Sequence, residues 1–145
     1  MKKAILMVVI LSAFMLSACS LSEEVNHSLE YANEIKKQLD TLSSFAEEAP
    51  QLLEDAALSP EARKELESQL NELKTNIIDF NKIEVPSLAE SIHEQLIVKN
   101  QALLDELNKV VENGNVVLDR IENTQIFNTI NDVISLLNRI ENLGL

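Results

Sequence analysis

Apolar residues recur along most of this chain at steps of three and four, the spacing of one helix face. No stretch alternates with period two for long enough to make a strand. A first helix is expected after Ser22 as N-cap, with Glu23 and Glu24 against the positive end of the dipole. Its apolar stripe would be Val25, Leu29, Ala32, Ile35, Leu39, Leu42, Ala46, Ala49 and Leu53, and Pro50 should bend it or end its first part. Ser59-Pro60 reads as the start of a second helix, since proline suits the first helical position. There Leu66, Leu70, Leu73, Ile77 and Phe80 form the strictest heptad-like seam in the chain.

Residues 83–86 read as a connection, and Ser87-Leu88-Ala89-Glu90 fits a capping box opening a third helix. That helix carries Ile92, Leu96, Leu103, Leu107 and Val110. Asn100, near the inner edge of the stripe, is either a buried residue that fixes register or a rim residue bonded to water. Gly114 looks like a turn, yet Val117 and Ile121 continue the stripe in phase, so Gly114 is read as a kink and the firmer break is placed at Thr124. A last helix presents Ile126, Ile130, Val133, Leu137 and Ile140. The expected fold class is all-α, an antiparallel bundle of about four helices. The alternative is an elongated coiled-coil oligomer whose stripes meet between chains.

The first residues follow a different rule. Lys2 and Lys3 precede an apolar run over residues 4–16, then small residues and the single cysteine, Cys19. Charged, apolar and small residues in that order make an export signal, and the run is too short to span a bilayer comfortably. Leu16-Ser17-Ala18-Cys19 resembles the lipobox of bacterial lipoproteins. The resemblance implies cleavage before Cys19 under recognition of Leu16, Ser17 and Ala18, and a diacylglyceryl group on the Cys19 sulfur. Two acyl chains at one residue hold a protein stably, where one does not. The expected organisation is therefore a signal peptide over 1–18, the lipidated Cys19 and a short tether over 19–22, and a helical domain over 23–145.

Removing residues 1–18 leaves 127 residues, enough for one core without metal or cross-links. Ten basic then face 24 acidic side chains, a net charge of −14 that excludes a nucleic-acid role. Chemistry is hard to place. Both histidines fall in Glu-x-x-His pairs, Glu24 with His27 and Glu90 with His93, a spacing used by di-iron bundles. The expected helix lengths put His93 beside residue 40, about 20 Å from His27, too far for shared ligation at 1.5 Å per residue. No metal or other cofactor is expected. The one thiol is spent on lipid, and no serine occupies a Gly-rich elbow, so no enzyme is expected. Asp/Glu pairs are too many in so acidic a chain to single one out for sugar hydrolysis.

One face of the last helix is polar and nearly uncharged: Thr124, Asn128, Asn131, Ser135, Asn138 and Asn142. It is a candidate contact surface for a protein or wall polymer, though few aromatics are available for sugar stacking. Ser20-Leu21-Ser22-Glu23-Glu24-Val25-Asn26 and Ser59-Pro60-Glu61-Ala62 are similar to a small family of uncharacterised lipoproteins of spore-forming Gram-positive bacteria, a domain of unknown function. That likeness implies the extracytoplasmic face of a cell membrane and brings no functional residue besides Cys19. The expectation is a lipid-anchored, non-catalytic binding or structural module of the envelope. Its partners would be the membrane through Cys19 and a protein or wall polymer through Asn128, Asn131, Asn138 and Asn142. The alternative is a ligand or metal carrier using the bundle interior.

Overall fold

The computed structural model describes the backbone over residues 2–112, 115–121 and 125–144, and side chains over 25–111, 115–121 and 125–144. Helix α1 (Lys2–Leu58) runs without a break through the expected leader and tether, so Ser22 lies inside it rather than capping it. It also passes through Pro50, which neither ends nor divides it. Pro50 is exposed, so its ring and the missing donor fall on the solvent side of the helix. The face α1 buries is Tyr31, Ile35, Gln38, Leu42, Phe45, Ala49 and Ala56. That is a heptad register, rotated from the stripe the apolar spacing selects. Val25 and Leu29 from the expected stripe are instead more than half exposed, at 53% and 55%.

Ser59 adopts an extended conformation and its Oγ accepts from the Ala62 N–H at 3.3 Å, which starts α2 (Pro60–Phe80). The seam Leu66, Leu70, Leu73, Ile77 and Phe80 is fully inside. Helix α3 (Glu90–Val110) starts without the expected capping box. Ala89, itself completely buried after a turn onto the Pro86 carbonyl, occupies the N-cap position, and its carbonyl accepts from Ile92 and His93. Ser87 therefore lies outside the helix.

The expected kink at Gly114 is also corrected: α3 ends at Val110. Strands β1 (Val111–Glu112) and β2 (Asn115–Val116) form a two-residue antiparallel ladder, Val111 opposite Val116. Val110-Val111 and Val116-Val117 are β-branched pairs flanking Glu-Asn-Gly-Asn, a local preference for a hairpin that outweighs the in-phase stripe. Gly114 and Thr124 themselves lie outside the described residues. The short α4 (Leu118–Ile121) buries Ile121, and α5 (Ile126–Glu141) buries Ile126, Ile130, Val133, Leu136, Leu137 and Ile140.

The four main helices pack against one another around one core. α1 lies against α2 and α5, and α3 against α5 and, more loosely, α2, so α1 and α3 face across a diagonal. Directions alternate along the chain, as in an antiparallel up-down bundle. The α1–α2 turn and the hairpin share one end, where Glu67 Oε1 accepts from the Val116 N–H at 2.9 Å. The other end gathers residues 25–31 of α1, the α2–α3 connection and the last turn of α5, where Ile140 and Glu141 lie beside Ala32 and Lys36.

Candidate functional site

At the end of the bundle nearest Cys19, an aromatic and polar cluster closes the core. Tyr31 faces inward from α1, Phe80 from the last turn of α2 and His93 from the first turn of α3. Tyr31 and His93 are 2% and 3% exposed. Tyr31 Oη lies 2.9 Å from His93 Nδ1, and the His93 ring centre is 5.6 Å from that of Tyr31 and 5.5 Å from that of Phe80. His93 Nε2 is buried with no hydrogen-bond partner. With Tyr31 as donor and the ring hydrogen on Nε2, a single donor is orphaned; the other tautomer strands the tyrosine hydrogen and leaves Nε2 unused as an acceptor. Burial pushes the His93 pKa down and the Tyr31 pKa up, because each charged form would lose its water. Both groups are therefore neutral near pH 7.

This contact corrects the expected level of His93. It sits beside Tyr31, not residue 40. The connection over 81–89 is the reason: it is made of turns and loop rather than helix and runs on past the last turn of α2. It carries Glu84 down to His27, where Glu84 Oε2 and His27 Nδ1 are 2.9 Å apart, before α3 turns back. The two histidines are thus one helical turn apart in level, yet face different surroundings. His27 is exposed and bound to Glu84, while His93 is inside the core. Glu90 is exposed at the start of α3, and the Glu24 side chain lies outside the described residues. Among the described residues, no three His, Cys, Asp or Glu side chains gather into a set that could hold a metal ion.

An open pocket of about 300 Å³ lies over this cluster, lined by His27, Glu30, Tyr31, Glu34, Ile83 and Glu84. One heptad further along, Gln38 and Asn100 are buried too. Asn100 Nδ2 donates to Asn81 Oδ1 at 2.7 Å, which settles the Asn100 alternative in favour of burial. Gln38 Nε2 and Asn100 Oδ1 have no hydrogen-bond partner. The sequence signal for this polar layer was the sevenfold step from Tyr31 to Gln38 and from His93 to Asn100. It was missed because a stripe sought among aliphatic residues passes over Tyr, Gln and His.

The expected α5 face is present. Asn128, Asn131, Ser135, Asn138 and Asn142 are all exposed along one side of the helix. Part of its hydrogen-bonding capacity is used locally: Asn128 Nδ2 donates to Gln125 Oε1, and Asn138 and Asn142 donate to backbone carbonyls one turn back. Lys99 reaches across from α3 to Asp132 at 2.6 Å and flanks the face with a paired charge. The side chains of Leu16, Ser17, Ala18 and Cys19 lie outside the described residues, although their backbone belongs to α1. Among the described residues, no helix is long and apolar enough to cross a membrane.

Residues 31–143 match the profile of a family of unknown function, DUF6376. The chain is also similar to the uncharacterized lipoprotein YybP of Bacillus subtilis (strain 168), with 31% identity over 97% of this chain and 98% of the relative. No solved structure matches it.

Proposed function

This chain belongs to the DUF6376 family, and from that premise we propose a lipid-anchored, non-catalytic binding module on the extracytoplasmic face of the cell membrane. The likeness to a lipoprotein over nearly the whole chain supports the anchor. Within this reading Cys19 carries the thioether-linked diacylglyceryl group, and residues 1–18 are removed. The module works through its surface, by protein or wall-polymer contacts. The observation that carries this part is the exposed row Asn128, Asn131, Ser135, Asn138 and Asn142. It is a hydrogen-bonding strip about 21 Å long at 1.5 Å per residue, on an otherwise acidic molecule.

Two experiments test the reading. Intact mass of the protein purified from membranes should show a chain beginning at a lipid-modified Cys19, and Cys19→Ala should move the protein out of the membrane fraction. A retained leader or an unmodified thiol overturns the anchor. A photo-crosslinking residue at Asn131 or Asn138 should capture a defined envelope component that the same residue at Gln51, exposed on α1, does not. Equal capture at all three positions, or at none, overturns the α5 surface.

A further inference from the structure

Three large apolar side chains are exposed at one end of the bundle: Val25 and Leu29 on α1 and Leu88 in the α2–α3 connection, at 53%, 55% and 66%. Leu88 lies between Glu84, which pairs with His27, and His93, which bonds Tyr31, so it sits level with residues 27–31. Ile140 and Glu141, at the end of α5, lie beside Ala32 and Lys36 of α1, and Val25 and Leu29 come earlier in α1, toward its Cys19 end. Val25 follows Cys19 by six residues along one unbroken helix, about 9 Å of rise. The uncovered end therefore faces the position of the anchor.

We infer that this end of the bundle docks on the bilayer, with Val25, Leu29 and Leu88 entering the interface between headgroups and acyl chains. The inference rests on the lipid anchor at Cys19 proposed above. Three partly exposed side chains cannot make a dimer interface of the usual size, about 1,200 Å² or more in total. A membrane surface already held within about 9 Å needs no such area, because the anchor supplies the local concentration. The helical course of the chain from Cys19 to Val25 transmits the anchor's position to the bundle. Leu29 lies about 15 Å along the helix from Cys19, so the bundle leans its apolar side onto the membrane rather than drifting on a loose string. Glu30, Glu34 and Glu84 line the pocket at the same end, and their charge makes neutral headgroups the better match.

The chain has no tryptophan, so one introduced tryptophan reports its own surroundings. Leu29→Trp, Leu88→Trp and Leu58→Trp variants of the lipidated protein are placed in phosphatidylcholine vesicles, with and without bromine on the acyl chains. Leu58 is 86% exposed at the opposite end, about 50 Å along α1 from Val25. Leu29→Trp and Leu88→Trp should emit at shorter wavelength and be quenched at least about twofold by brominated lipid, and Leu58→Trp should be unaffected. Adding Val25→Ser and Leu29→Ser should relieve most of the quenching of Leu88→Trp. Protein that floats with vesicles while no position is quenched overturns docking and leaves the anchor standing. Equal quenching at Leu58→Trp, or quenching that survives the serine changes, overturns docking as well. A blue shift without quenching would mean that a second protein copy covers the end instead. Protein that fails to float overturns the anchor, and the docking with it.

Discussion

Removing one oxygen atom tests the account of the buried cluster. Tyr31→Phe deletes the hydroxyl that lies 2.9 Å from His93 Nδ1 and leaves the rings packed. The imidazole nitrogen then stays inside the core without a partner, at a cost of about 1–2 kcal/mol. For a domain of this size that lowers the melting temperature by about 3–8 °C. His93→Phe strands the tyrosine hydroxyl instead and should cost a similar amount. The double variant places two phenyl rings side by side and should recover about 1 kcal/mol relative to the sum of the singles.

A pH series adds an independent sign. The folded His93 pKa lies below its ordinary value of 6.5 because burial disfavours the cation. Between those two values the unfolded chain binds more protons, so stability rises with pH. The contribution is complete above 6.5 and is lost as pH falls toward the folded value. Urea unfolding followed by far-UV circular dichroism at pH 5, 6, 7 and 8 measures both effects. The slope between pH 5 and 7 should be shallower in His93→Phe than in the parent. Singles whose costs simply add, or an unchanged slope in His93→Phe, would refute the buried pair.

Leu73→Ala, within the α2 seam, should cost about 2–5 kcal/mol in urea unfolding, whereas Leu58→Ala at an 86% exposed position should stay within about 0.5 kcal/mol. Asn100→Leu replaces a buried amide that has one unpaired oxygen, and should raise stability by about 1 kcal/mol; a loss of that size would show that the Asn81 bond outweighs the orphaned group. Pro50→Ala restores a donor inside α1 and should stabilise the protein by about 1–3 kcal/mol, with more helical ellipticity; no gain would mean that the helix is already broken there. Equilibrium dialysis against iron, zinc and manganese should show no stoichiometric retention and no response to His27→Ala. Retention that His27→Ala abolishes would favour the carrier reading.

The sequence by itself determined the all-α class, the starts of α2 and α5, and the faces that those helices bury. In α2 and α5 the apolar residues occupy one stripe and almost nothing else, so only one rotation of each helix can satisfy burial. The string around Cys19, on which the proposed anchor rests, is likewise local and is read without a fold. Tertiary structure decided the rest. α1 offers apolar residues on two overlapping stripes, and the choice of Tyr31, Gln38 and Phe45 over Val25 and Leu29 depends on where α5 stops and on which side α2 and α3 approach. The hairpin after Val110 replaced an in-phase helix because two β-branched pairs could bond each other and reach Glu67 on α2, a partner 49 residues away. The pairing of Tyr31 with His93 followed from the connection over 81–89, whose turns and loop run past the end of α2 before α3 turns back. Periodicity fixes a rotation within one helix, but the level at which two helices meet is set by the path between them.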